Sequence, residues 1–229
     1  MKAWTPLLLT VLGFVGLGAL AVYRMMTIES LPMLLLAGTG MAMYAGWMLW
    51  ESRVSVKEIS KPEPDRDRGT MELCAFVKIS LLVAALAGRG SILTDRGAII
   101  AALVGLVVVA AGILLRTNAI RTMGDAYSHR IRTPSFPLVT HGPYAWIRHP
   151  AYAGTVLIHA GAVLIFLNVV SAVALAAWLI AVWYRTHVEE RWLSTFPEYQ
   201  EYKARVTGAW IPGRRSRPIP AASAGGGAR

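Results

Sequence analysis

Two carboxylates stand side by side at Glu189-Glu190, one helical turn after Arg185. The i, i+4 spacing puts Arg185 and Glu189 on one helix face. In so apolar a chain, adjacent anions need a cation or a hydrogen-bonded network, because ionisable groups at a membrane boundary pair with one another or with a ligand. A second polar stretch lies upstream, where residues 137–154 read Pro-Leu-Val-Thr-His-Gly-Pro-Tyr-Ala-Trp-Ile-Arg-His-Pro-Ala-Tyr-Ala-Gly. If the chain between them folds back on itself, Arg148, His149, Arg185, Glu189 and Glu190 share one interfacial pocket. Simpler readings stay open for most of these residues taken singly. Arg148 and Arg191 fit cytoplasmic anchors, Tyr144, Trp146, Tyr152, Trp183, Tyr184 and Trp192 fit an aromatic belt, and the prolines fit first helical positions. The paired glutamates are what those readings leave unexplained. Five histidines invite a metal, but no His, Cys, Asp or Glu cluster has zinc-ligand spacing. His159 falls mid-span on an apolar face and reads as a packed, hydrogen-bonding histidine. There is no G-x-G-x-x-G, no Walker A sequence and no G-x-S-x-G elbow.

The elements that must position these residues are membrane helices. The chain has 229 residues, 55% hydrophobic and 16% charged, with a mean hydropathy of +0.48. A soluble domain carries about 25% charged residues, so an ordinary soluble domain, a disordered chain and a fibrous repeat are excluded. Apolar segments occupy about 5–24, 31–50, 71–88 and 97–115, and one longer run covers 151–184. A span needs roughly 20 residues. The last run is too long for one span and has Asn168 near its centre, which predicts a tight hairpin of 151–167 and 169–184. The expected fold is therefore an all-α polytopic bundle of about six segments, ending in a helical hairpin. The first segment is read as a retained span, because its apolar stretch outruns a signal peptide and shows no clear cleavage site.

Charge placement supports this arrangement. With the N-terminus inside, nineteen of the 23 lysines and arginines fall on the inner side and only Arg24, Arg89 and Arg96 outside. That bias predicts cytoplasmic termini. It also explains the net charge of +10 through topology and anionic lipid, so no nucleic-acid partner is expected. Lys78, inside the third segment, is expected to snorkel to the headgroups. Residues 51–70 read as a solvated, mixed-charge loop and 213–229 as a disordered tail. Gly13, Gly18, Gly38, Gly40 and Gly46 are expected to mark close packing of the first two spans. The single cysteine, Cys74, has no intramolecular partner and leaves the redox compartment open.

As a composite, the order Leu-Val-Thr-x-Gly-Pro-Tyr, Arg-His-Pro-x-Tyr-x-Gly, a hairpin, then Glu-Glu-x-x-Leu and Tyr-x-x-Tyr resembles the isoprenylcysteine carboxyl methyltransferases and their prokaryotic relatives. Phospholipid N-methyltransferases share a looser version. The resemblance covers about 116–212, ending in Trp210-Ile211-Pro212, and divides the chain into N-terminal helices (1–115), a methyltransferase core (116–212) and the tail. It implies an integral membrane enzyme, of a prokaryotic plasma membrane, using S-adenosylmethionine in a cytoplasmic-facing pocket and no metal. It implies a lipophilic or lipidated acceptor, of isoprenylcysteine type, with a phospholipid amine or small thiol as the alternative. Membrane lipid is the implied surrounding partner.

Residue by residue, the resemblance places Leu138 and Val139 against the cofactor. Tyr144, His149 with Pro150, and Tyr152 line its adenosine and homocysteine portions, and Glu189 pairs with its ammonium group. Arg185 holds an anionic acceptor, and Glu190 stands with it among the catalytic residues. Two positions depart from the family's usual pattern while still falling in the implied cofactor site. Phe136 stands where a histidine is common, and His129 stands where eukaryotic members tend to have glutamine. Membrane sterol-type reductases, which use NADPH, share this architecture, but their version has asparagine at position 151 and an acidic residue at 155. Ala151 and Thr155 argue against that class.

Overall fold

In a computed structural model of the chain, residues 5–59, 66–88 and 90–213 are described, with side chains from residue 15 onward in the first helix and up to residue 53 in the second. These residues form seven α-helices and no strand: α1 (Thr5–Met26), α2 (Leu31–Ile59), α3 (Thr70–Ala87), α4 (Asp95–Met123), α5 (Pro150–Ile165), α6 (Val169–Leu193) and α7 (Pro197–Arg205). Four segments are long and apolar enough to cross a membrane: Leu31–Arg53, Thr70–Ala87, Asp95–Ala126 and Val169–Leu193. Val15–Met26 and Pro150–Ile165 are apolar but shorter. The outward faces carry Leu35, Phe76, Val83, Val107, Leu114, Val173 and Ile180, as expected of helices solvated by acyl chains. The fold is thus an all-α polytopic bundle, as the apolar pattern predicts.

The hairpin turns at Asn168. Its Oδ1 accepts from Ser171 N at 2.9 Å, and Ser171 Oγ accepts from Asn168 N at 3.1 Å. This reciprocal cap satisfies the first orphan donors of α6. Asn168 Nδ2 also donates to Ala84 O at 3.1 Å, so the same side chain ties the end of α3 to the turn. The fit requires glycine at position 88, where a Cβ would sit 2.3 Å from Asn168 Nδ2.

Three expectations are corrected. The helices outrun their apolar cores: α2 continues to Ile59, α4 to Met123 and α6 to Leu193. Membrane helices do not end where hydrophobicity ends; the extra turns carry the charged residues of the site. The 51–70 stretch is accordingly not a solvated loop in its described parts. Residues 51–59 are helical, Glu51 is 12% exposed at its side chain and Asp67 is buried. Residues 60–65 of that stretch and 214–229 of the tail lie outside the described residues.

The third correction concerns glycine. Gly16, Gly18 and Gly46 face open space, and only Gly38 and Gly40 meet a neighbouring side chain; the side of Gly13 lies outside the described residues. The close helix crossing is instead between α4 and α5. A Cβ on Gly105 would lie 2.7 Å from Gly161 O, one on Gly112 2.8 Å from Gly154 O, and one on Gly161 2.6 Å from Gly105 O. The two glycine pairs, each seven residues apart on its own helix, bring the backbones together as small residues do between membrane helices. The crossing fixes α5, and hence the His149-Pro150 start of that helix, against α4.

Candidate active site

A cavity of about 610 Å³ runs between α2, α3, α5 and α6 and is closed at one end by residues 126–139. His129, Leu138, Val139, Tyr144, His149, Tyr152, Arg185 and Glu189 all line it. The hairpin therefore brings together the two polar stretches that the sequence keeps 30 or more residues apart. Among the described residues no group of three or more His, Cys, Asp or Glu is placed to hold a metal ion.

The Arg-His-Pro stretch is positioned by the segment after α7. Arg148 N donates to Gly208 O and His149 N to Ala209 O, both at 2.9 Å. Arg148 Nη1 donates to Val206 O at 2.7 Å and Thr207 O at 2.6 Å. Trp210 Nε1 donates to Thr186 Oγ1 at 3.0 Å, fastening the same segment to α6. Tyr202 Oη donates to Tyr144 O at 2.8 Å. Burial pushes the hydroxyls of Tyr144, Tyr199 and Tyr202 above the ordinary tyrosine range, so they stay neutral. Pro150 is the first residue of α5, where its missing N–H costs nothing. It is fully buried and does not line the cavity. Phe136 is also outside the cavity; it is 47% exposed and packs on Phe196 with ring centroids 6.0 Å apart.

The two adjacent glutamates have different surroundings. Glu190 does not line the cavity. Its Oε1 accepts from Arg148 Nε at 2.7 Å, lies 2.6 Å from Arg148 Nη2 and is 3.2 Å from His149 Nε2, while Oε2 lies 3.1 Å from Lys203 Nζ. It is a clamp for the Arg148-His149 stretch, with both carboxylate oxygens engaged. Glu189 points the other way. Its Oε2 is buried in the cavity wall without a hydrogen-bond partner and faces His149 Nδ1 at 3.8 Å. Consecutive helical residues differ by about 100° in direction, so one can clamp while the other faces the cavity. The His149 ring stacks on Tyr152, with centroids 5.6 Å apart and planes 17° from parallel.

Arg185 is 5% exposed and already engaged. Nε donates to Tyr152 Oη at 3.1 Å, Nη1 to Thr70 Oγ1 at 2.9 Å and Nη2 to His129 O at 2.5 Å. Its carboxylate partner is Asp67, with Oδ1 2.7 Å from Nη2, and not Glu189. Thus i, i+4 proximity on the helix is correct, but the stronger charge partner arrives from the α2–α3 connection. His159 behaves as expected: it is fully buried, its Nδ1 lies 2.8 Å from Thr155 O and its Nε2 3.2 Å from Tyr44 Oη. Since a carbonyl can only accept, Nδ1 carries the proton and Nε2 accepts from the tyrosine.

Sequence reasoning missed a second charged layer deeper in the cavity. Glu51 and Arg116 form a buried ion pair, with Arg116 Nε donating to Glu51 Oε2 at 2.8 Å. Arg116 Nη1 donates to Ala151 O at 2.9 Å and Thr155 Oγ1 at 2.6 Å. His129 Nδ1 is 3.8 Å from Glu51 Oε1, linking this layer to the loop. Trp47, Cys74, Lys78 and Trp178 complete the wall. Lys78 thus faces the cavity and does not snorkel to the headgroups. The available signal was a lone charge at the end of each apolar run, Glu51 after Trp50 and Arg116 after Leu115, matched in depth and opposite in sign.

Residues 103–195 match the isoprenylcysteine carboxyl methyltransferase (ICMT) family. The chain is 36% identical over 116 residues to a protein-S-isoprenylcysteine O-methyltransferase of Tribolium castaneum, covering 48% of this chain and 41% of that protein. It is 37% identical over 117 residues to the Saccharomyces cerevisiae protein of the same name, covering 47% of each. An Arabidopsis thaliana protein-S-isoprenylcysteine O-methyltransferase B is 36% identical over 111 residues, covering 44% of this chain and 55% of that protein. The chain spans about half the length of these curated relatives. The matched stretch holds the glycine crossing of α4 and α5, the Arg-His-Pro turn and both glutamates of α6, and over that stretch the chain is similar to the isoprenylcysteine carboxyl methyltransferase family.

Proposed function

We propose that this chain is an integral membrane methyltransferase that uses S-adenosylmethionine to methylate the carboxylate of a lipophilic acceptor of isoprenylcysteine type. The observation that carries this reading is Glu189. A carboxylate oxygen buried in a cavity wall without a hydrogen-bond partner is costly unless a ligand supplies the cation. The ammonium group of the cofactor's methionine portion has that charge. Leu138, Val139 and Tyr144 supply apolar and aromatic surface on the same wall, suited to an adenosine. The proposed orientation has both termini and the Glu189 end of the cavity on the cytoplasmic side, following the charge bias.

When bound, the sulfonium supplies an activated methyl group. The chain's part is to bind and align. Glu189 offers charge, the stacked His149–Tyr152 pair offers a flat wall, and Arg185 holds Tyr152 and the backbone of His129 in place. An anionic acceptor needs no general base, so the contribution of such a site is alignment and exclusion of water. Arg185 acts in this reading as a positioning residue.

Calorimetry of the purified protein with S-adenosylhomocysteine and with NADPH, alongside assay of methyl ester formation on S-farnesylcysteine, tests the reading. Binding of S-adenosylhomocysteine that falls about 30-fold or more in Glu189→Gln is expected, from the loss of one side of a partly buried charge pair. Binding of NADPH without S-adenosylhomocysteine overturns it in favour of a reductase.

A further inference from the structure

We infer that Lys78 is the binding site for the acceptor's anionic group, and that it makes the site prefer the acid over its methyl ester. The inference rests on the methyltransferase reading but concerns a residue of α3, outside the 103–195 stretch that carries the family likeness.

Lys78 is half-buried and lines the cavity. Among the described residues it makes no hydrogen bond and no ion pair, whereas the charges around it are committed. Glu51 is held by Arg116, Asp67 by Arg185 and Glu190 by Arg148 and Lys203. The cavity therefore offers, in its deep layer, an ammonium whose carboxylate neighbour Glu51 is already paired with Arg116, and a carboxylate without an arginine or lysine ion pair, Glu189, at its other end. A buried charge of this kind calls for a partner of opposite sign. Two ligands of opposite charge, one at each end, would satisfy both.

The register between α3 and α6 gives the depth. Arg185 Nη1 meets Thr70 Oγ1, and Cys74 Sγ donates to Ala181 O at 3.6 Å. Four residues along α3 correspond to four residues back along α6, so Lys78 lies level with Ala177, beside Trp178. Twelve residues separate that level from Glu189, an axial distance of ~18 Å at 1.5 Å per residue. Part of that distance is bridged by the two side chains themselves, which leaves room for a cofactor tail and an acceptor head between them. The walls beside Lys78 are apolar, from Trp47, Met48, Ala75 and Trp178. They come from α2, α3 and α6; α2 packs on α4 and α3 on α6. An amphiphile with an acidic head and a greasy body matches this end of the cavity, and a hydrophilic anion does not.

Ester formation joins the carboxylate oxygen to the methyl carbon while the sulfur–methyl bond breaks and its electron pair stays on sulfur. The acceptor's negative charge disappears in that step. An ammonium bound to the acid thus has nothing to hold in the ester, and the product is released in preference to the substrate.

The test measures binding without turnover. With the protein saturated with S-adenosylhomocysteine, dissociation constants for S-farnesylcysteine and for its methyl ester are measured from the fluorescence of the tryptophans, two of which, Trp47 and Trp178, line this cavity. The unmodified protein should bind the acid at least tenfold more tightly than the ester. Lys78→Met, and Lys78→Gln as a second neutral variant, should lose that preference, Lys78→Arg should retain it, and S-adenosylhomocysteine affinity should be unchanged in all three. A preference for the acid that survives in the folded neutral variants overturns the inference, as does equal binding of acid and ester by the unmodified protein. These results are distinct from failure of the methyltransferase reading, which would show as loss of S-adenosylhomocysteine binding and of ester formation in the unmodified protein.

Discussion

Asp67 Oδ1 lies 2.7 Å from Arg185 Nη2, and both side chains are withdrawn from solvent. Asp67 Oδ1 also accepts from Ile131 N at 3.2 Å, while Arg185 donates to His129 O. One carboxylate and one guanidinium thus staple three parts of the chain: the α2–α3 connection, the loop over the cavity and α6. With Asn168 on Ala84 O and Glu51 on Arg116, the pair is one of the ties that hold the N-terminal helices on the stretch shared with the family.

Removing one member should expose its importance. Asp67→Asn leaves a buried arginine uncompensated, which costs on the order of 3–5 kcal/mol. Thermal unfolding in detergent should show a clear drop in melting temperature. The double variant Asp67→Asn with Arg185→Met should recover part of the loss, because no buried charge is then left unpaired. Additive losses in the double variant would show that the two residues act independently.

Substitutions at glycine should separate the α4–α5 crossing from the glycines of α2. Gly161→Ala places a methyl 2.6 Å from Gly105 O and 2.8 Å from Val109 N, both backbone atoms. Helix separation must increase, at a cost of about 1–3 kcal/mol. Gly46→Ala meets nothing within 4 Å and should be neutral or stabilise slightly through better helix propensity. Melting curves of the two variants under one detergent condition provide the comparison.

Alkaline pH should weaken the segment after α6. Burial raises the hydroxyl pKa of Tyr144, Tyr199 and Tyr202 in the folded chain, whereas an unfolded tyrosine titrates near 10 (about). A group with a raised folded pKa contributes stability that is complete below its unfolded value and is lost as pH rises beyond it. Melting temperature should therefore show no tyrosine-linked change below about pH 10 and fall above it. Tyr202→Phe, which removes the donor to Tyr144 O, should lower the melting temperature at neutral pH and flatten the alkaline decline.

Much of this arrangement was legible in the sequence, and the parts that were not share a cause. Apolar runs locate the membrane core of each helix, and Asn168 locates the hairpin because a capping side chain acts within three residues. The Arg-His-Pro and Glu-Glu stretches could be brought together because the hairpin dictates it. Partners chosen across the bundle were another matter. Asp67 for Arg185, Glu51 for Arg116 and the cavity wall for Lys78 depend on which helices pack, and periodicity does not encode that. The glycine crossing was misplaced for the same reason. Spacing marks which glycines can approach a backbone, while only the packing of α4 on α5 selects the ones that do.

Glu189 and Glu190 provide the sharpest test, because one substitution at neighbouring positions should have opposite consequences. Glu190→Gln removes the charge that holds Arg148, His149 and Lys203. Arg148 is buried and also carries the Val206 and Thr207 carbonyls, so the loss should reach about 3–5 kcal/mol. Cofactor affinity should fall with it only as far as the fold loosens. Glu189→Gln removes a buried carboxylate oxygen that has no hydrogen-bond partner, so in the ligand-free protein it relieves a desolvation cost and should leave the melting temperature unchanged or raised. Its penalty should appear only with ligand: S-adenosylhomocysteine should stabilise the unmodified protein by RT ln(1 + [L]/Kd) and the Glu189→Gln variant far less. Melting curves of the three proteins, with and without S-adenosylhomocysteine, separate the two roles in one experiment. A Glu189→Gln variant that melts lower without ligand, yet is stabilised by it as fully as the unmodified protein, would make Glu189 a second clamp and remove it from the cofactor site.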